Sequence, residues 1–152
     1  MPRYNEDKIA TLISEMKKSF ERLNSFRSIK RDDFLGNLDK IDSAKYNFIV
    51  AIESAIDICN HIISKNNYRM PKNFGDTFKV LHEQGAFSNI KGMSDKDFIK
   101  NLISMAKFRN RLVHIYWEIN EELLYDYLQN NLVDLKIFLD KISQFLNLKD
   151  KI

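Results

Sequence analysis

One cysteine, two prolines and four glycines are all that this 152-residue chain holds of the residues that crosslink or interrupt a backbone. With Cys59 alone there is neither a disulfide framework nor a thiolate metal cluster, and a reducing cytoplasm is the expected compartment. So little proline and glycine favours helices over turn-rich folds. No apolar run approaches the roughly 20 residues of a membrane-spanning helix. The start, Met1-Pro2-Arg3-Tyr4-Asn5-Glu6-Asp7, develops no apolar signal core, so the chain is expected to be neither secreted nor membrane-spanning. Also missing are a period-two strand of useful length, a glycine-rich phosphate loop and an internal repeat, which argues against nucleotide folds built on sheets.

What is present is a chain 44% hydrophobic and 30% charged, long enough to bury a core as a single domain over residues 1–152. The net charge of +3 is too small to imply a nucleic-acid partner, but it is unevenly spread. Residues 1–64 carry ten basic and ten acidic side chains, residues 65–112 ten and four, and residues 113–152 four and seven. The basic excess runs through Lys65, Arg69, Lys72, Lys79, Lys91, Lys96, Lys100, Lys107, Arg109 and Arg111. Such a segment suits a phosphate-bearing partner, and equally a solvated lysine-rich surface.

Apolar spacing predicts an all-α bundle of four long helices and one short one. Ile9, Leu12, Ile13, Met16, Phe20 and Leu23 write one stripe on a first helix of about residues 4 to 27. A polar joint with Asp32, Asp33 and Gly36 follows. From Ile41 to Ile63 the pattern is apolar on more than one face, so this helix must be central, covered by other helices or by another subunit. A short helix from about Phe74 ends at Gln84-Gly85. Ser94 caps the next helix with Asp97 in the reciprocal position, and Asn120 caps a long final helix reaching about residue 147.

Two polar features break the apolar pattern. Glu53, Asp57, Asn60 and His61 share one side of the central helix, either as satisfied core hydrogen bonds or as one wall of a cleft. Asp57 with His61 supplies too few ligands for a metal. The second is the run Arg109-Asn110-Arg111-Leu112-Val113-His114-Ile115-Tyr116-Trp117. Arginine offers a permanently charged fork for phosphate, and histidine exchanges protons near neutrality. On an ideal helix a five-residue step leaves Arg109 and His114 about 140° apart. The β-branched and aromatic stretch from Val113 therefore predicts that the helix unwinds near His114 and swings it back toward Arg109, with His114 and Tyr116 facing one way in an extended tail. The alternative is an ordinary helix end in which Arg109 and His114 serve the last carbonyls.

This run resembles the Arg-x4-His-x-Tyr signature of the HepT-like toxins of the HEPN superfamily. The resemblance spans some 100 residues: Val50-Ala51-Ile52-Glu53, Ile58-Cys59-Asn60-His61-Ile62-Ile63, Pro71, the stretch from Phe108 to His114, Tyr116-Trp117 and Leu132. It implies a HEPN-type bundle that pairs through its central helices, which would account for their excess apolar surface, with two signatures meeting in a cleft. It further implies that Arg109 and His114 form the catalytic pair, with Asn110 as polar support and Glu53 and Asp57 walling the cleft. These groups suit attack of an RNA 2′-hydroxyl on the adjacent phosphate, with His114 moving protons and Arg109 stabilising charge, without metal or cofactor. The implied partners are RNA, a second copy of the chain, and a minimal nucleotidyltransferase antitoxin that transfers AMP to Tyr116. A non-catalytic HEPN module that docks a nucleotidyltransferase is the alternative, and a helical interaction protein without a site the third reading.

Overall fold

The computed structural model describes residues 1–148, and they are entirely helical and irregular, with no strand among them. The order is α1 (Glu6–Phe26), α2 (Arg31–Leu35), α3 (Leu38–Asn66), α4 (Phe74–Glu83), α5 (Asp95–His114), a 3-10 turn (Tyr116–Glu118), α6 (Glu121–Asn130) and α7 (Leu132–Phe145). Among the described residues no helix is long and apolar enough to cross a membrane.

Helix α3 is the axis of this all-α bundle. Along its 29 residues one broad side is buried, from Ile41, Ala44 and Phe48 to Ile58, Ile62 and Ile63, while Asp42, Tyr46, Glu53 and Asp57 share a side left partly open. Helix α1 lies along it, and α4, α5, α6 and α7 also pack on it. The chain's own helices cover this buried side, while Tyr46 stays exposed and Ile49 and Val50 partly exposed on the side that carries Glu53 and Asp57. Tyr46 and Leu38, near the start of α3, are its large hydrophobic groups left open. The side next to the site is closed by Phe48 of α3, Phe108 of α5 and Tyr127 of α6. Phe108 meets Phe48 edge-on at 5.6 Å and Tyr127 at 4.6 Å, a favourable aromatic geometry.

The helix ends follow their sequence signals. Asn5, Asn37, Asn73, Ser94 and Asn120 each accept a backbone N–H of the first turn through the side chain. Asn67 and Gly85 take the left-handed conformation just beyond α3 and α4.

Two expectations need correction. The polar joint contains α2, because Phe34 is fully buried between Phe26 and Tyr125 and anchors the segment. The long final helix is two helices, so four long and one short is not the count. At Asn130-Asn131 the chain turns. Both residues have low helix propensity, and Asn131 Nδ2 donates to buried Asp134, which is also approached by Asn101. Burial is the main influence on the Asp134 carboxyl, and it raises the pKa.

Candidate active site

Helix α5 carries the signature to its last residue. Buried Phe98, Leu102, Met105, Phe108 and Leu112 hold one side of α5 in the core, and Arg109 and Asn110 emerge beside them, half-buried. The Arg109 guanidinium grips Glu53 of α3 with two donors, Nε at 3.1 Å and a shorter contact from Nη2, both to Oε1. Its Nη1 donates to Asn110 Oδ1 at 3.0 Å, and its carbon stands 5.0 Å from the centre of the Phe74 ring, at the start of α4. Three helices therefore fix one cation. The Arg109 side chain is 16% exposed and that of Glu53 42%, so the pair sits at the edge of solvent. An ion pair this open contributes on the order of 0–1 kcal/mol, and its main effect is orientation.

Asp57 lies one turn beyond Glu53 on the same side of α3, and its residue surface is open. Its carboxyl pKa is nonetheless raised. The atoms packed around it desolvate the charged form, and repulsion from Glu53 adds to this against the attraction of Lys8 and Arg109. Glu53 and Asp57 thus form a crowded acidic pair facing a single fixed arginine.

His114 is the last residue of α5, exposed, with no hydrogen bond among the described residues. The helix does end there. Ile115 leaves helical geometry at φ −135° and ψ 44° while its N–H still bonds to the Arg111 carbonyl at 2.8 Å. The expected swing toward Arg109 does not follow. His114 keeps its helical position, some 7.5 Å along the axis and about 140° around it from Arg109. Nor does Arg109 serve the last carbonyls, because Glu53 and Asn110 occupy its guanidinium.

Beyond Ile115 the chain makes a 3-10 turn rather than an extended tail, closed by Glu118 N–H on the Ile115 carbonyl at 2.8 Å. The turn lays Tyr116 against the start of α3. Its hydroxyl donates to Asp42 Oδ1 at 3.0 Å. The buried Lys45 places Nζ 4.4 Å from the ring centre and 3.3 Å from the Tyr116 carbonyl oxygen, to which it donates. Partial burial first, and then the Asp42 carboxylate, raise the pKa of the phenol. Arg109, His114 and Tyr116 thus occupy three different settings within one protomer.

The family model for HepT-like ribonucleases, "Ribonuclease HepT-like", matches residues 16–142. The chain belongs to the HepT-like ribonuclease family. An mRNA nuclease HepT from Shewanella oneidensis is 29% identical over 137 residues, which is 90% of this chain and 94% of that one. A tRNA nuclease HepT from Aphanizomenon flos-aquae is 23% identical over 138 residues, 91% of this chain and 89% of that one. Among solved structures, the tri-AMPylated Shewanella oneidensis HEPN toxin in complex with MNT antitoxin superposes with a TM-score of 0.77 at 26% identity, covering 92% of this chain and 99% of that one.

In this HepT-like chain the basic excess of residues 65–112 is not one patch. Arg69 is taken up by Asp76 and Glu83 through paired hydrogen bonds. These pairings raise the arginine's pKa and push both carboxyls down. Lys96 sits 13 residues before Arg109 on α5, about 20 Å away at the helical rise. Lys72, Lys79 and Lys107, by contrast, border a depression that reaches Asn110. Asp42, Lys45 and Phe74 are neighbours of the signature that sequence reasoning passed over. Lys45 had a signal, being a lysine inside the apolar stripe of Ile41, Ala44 and Phe48.

The remaining polar residues on this side of α3, Asn60 and His61, tie the fold. Asn60 Oδ1 lies 3.5 Å from the Thr77 hydroxyl, and His61 Nε2 accepts the backbone N–H of Asn5 at 2.8 Å. Among the described residues no three of His, Cys, Asp and Glu are grouped to hold a metal. The His61 bond requires the neutral ring, and desolvation, with repulsion from Lys65 and Lys8, lowers its pKa below the ordinary 6.5. A depressed folded-state value means that the unfolded chain binds the proton first, so stability is full above 6.5 and is lost as pH falls through the folded value. Denaturation of the wild type and His61→Gln across that range should show the wild type losing stability more steeply below pH 6.5; parallel curves would remove His61 from this role.

Proposed function

We propose that this HepT-like chain is the toxin of a toxin–antitoxin pair, a metal-independent endoribonuclease with Arg109 and His114 as its catalytic groups. The observation that carries this reading is the contrast between a guanidinium held from three sides at the edge of solvent and an imidazole left free at the helix end. A group that binds phosphate gains from being fixed, and one that carries protons must reach both oxygens involved. The reaction is attack of the 2′-hydroxyl oxygen on phosphorus with departure of the 5′-oxygen. The hydroxyl proton passes to a His114 imidazole, and the leaving oxygen receives one. Arg109 neutralises the charge gathering on the non-bridging oxygens, and the product end is a 2′,3′-cyclic phosphate. DNA lacks the nucleophile.

Within one protomer Arg109 and His114 point apart, so the reading includes a homodimer paired at the central helices, whose cleft supplies a second copy of each group. Asn110 steadies the guanidinium from its own helix. Glu53 aims it from α3, and Asp57 lines the same wall. RNA cleaved in EDTA by the wild type should be cut at least roughly 100-fold more slowly by His114→Ala and by Arg109→Ala. Equal rates for all three proteins would refute the assignment.

The partner in this reading is a minimal nucleotidyltransferase antitoxin of the kind bound to the Shewanella toxin, and its target is Tyr116. The phenol oxygen attacks the α-phosphorus of ATP and pyrophosphate leaves, with Asp42 standing where the phenol proton departs. Nucleotide phosphates added two residues from His114 would fill the cleft and place negative charge where RNA phosphate binds. Coexpression with a cognate minimal nucleotidyltransferase should increase the intact mass by whole AMP units. Tyr116→Phe should abolish the increase; an increase that survives would put the modification elsewhere.

A further inference from the structure

Next to the Arg109 guanidinium, and outside the signature, a groove of about 700 Å3 opens between the end of α3, the connection that follows it and α4. Asn60, Asn67, Tyr68, Phe74 and Asn110 are among the residues that line it. Two of them already belong to the arginine's surroundings: Asn110 accepts its Nη1 at 3.0 Å, and the Phe74 ring lies 5.0 Å from its guanidinium carbon. The groove thus begins where a phosphate held by Arg109 would end.

The lining is amide-rich and carries little charge. It contains no carboxylate, and Lys72 is its one cationic residue, so it is poorly made for a second phosphate. Its amides keep unused capacity. Among the described residues, Nδ2 of Asn60, Nδ2 of Asn110 and the whole side-chain amide of Asn67 make no hydrogen bond. Asn67 is placed there by its left-handed backbone, φ 53° and ψ 37°, at the end of α3. Tyr68 and Phe74 add aromatic surface, on which a nucleobase can stack whatever its identity.

A side-chain amide, with a donor beside an acceptor, matches the edge of adenine, which pairs an amino group with a ring nitrogen. Guanine's two adjacent acceptors are better matched by an arginine or lysine fork. We propose that this groove is a base-binding subsite that takes an unpaired adenine next to the phosphate held by Arg109. This rests on the ribonuclease reading for its substrate class, and it makes cleavage sensitive to the base beside the cut.

The test uses short single-stranded RNAs, an oligouridine and the same oligomer with one central adenosine, bound to full-length His114→Ala protein and followed by fluorescence anisotropy. The adenosine oligomer should bind roughly tenfold tighter. Asn67→Gly in that background keeps the left-handed backbone, removes the amide, and should narrow the ratio; adding Asn60→Ala should bring it near parity. Equal affinities at the outset, or a ratio that survives both changes, would overturn the subsite. If wild-type protein cleaves both oligomers at equal rates and the binding ratio is one, the subsite falls while the ribonuclease reading stands. If no RNA is cleaved yet the adenosine preference appears and is lost on Asn67→Gly, the ribonuclease reading falls and the subsite stands. A variant that loses antitoxin binding with an unchanged RNA ratio would assign the groove to the protein partner, against this proposal.

Discussion

The grip of Glu53 on Arg109 joins the axis of the bundle to its chemistry. Helix α3 is packed by its own chain along one broad side, and α5 is tied to it by Phe48 and Phe108. Against that frame the ion pair adds little stability, since its glutamate is 42% exposed and water screens it. An aromatic edge-to-face contact of the Phe48–Phe108 kind is worth about 0.5–1.5 kcal/mol beyond the area it buries. The apolar contacts hold α5 in place, and Glu53 then decides where the guanidinium points.

From that constraint the three working side chains of the signature divide by setting. Arg109 is fixed from α3, α4 and its own helix. His114 stands free at the helix end, and Tyr116 is folded back onto Asp42 and Lys45 by a short turn. The turn gives Tyr116 and His114 different settings although only Ile115 lies between them. The amide-lined groove beside Phe74 and Asn110 extends the arginine's surroundings, and in the proposed reading it takes a base.

Helix placement was legible where the cause is local. The stripe of Ile9 to Leu23, the caps at Ser94 and Asn120, and the end of α5 at His114 all follow from residues within a turn or two. Phe34 was missed because one aromatic among charges shows no periodicity, and its burial depends on Phe26 and Tyr125 arriving from elsewhere. The break at Asn131 was overlooked because the apolar spacing continues across it. In the site, the pairing of Arg109 with Glu53 links residues 56 apart, and spacing along α5 is silent about it. The expected swing of His114 toward Arg109 failed because the helix stays intact through His114 and unwinds one residue later.

In the proposed reading Glu53 acts on the reaction by aiming Arg109. Cleavage rates for Glu53→Ala, Arg109→Ala and the double variant form a cycle that isolates this coupling. Glu53→Ala should slow cleavage roughly tenfold or more when Arg109 is present, and should slow it no further once Arg109 is gone. Losses that simply multiply in the double variant, or a Glu53→Ala protein as fast as the wild type, would contradict it.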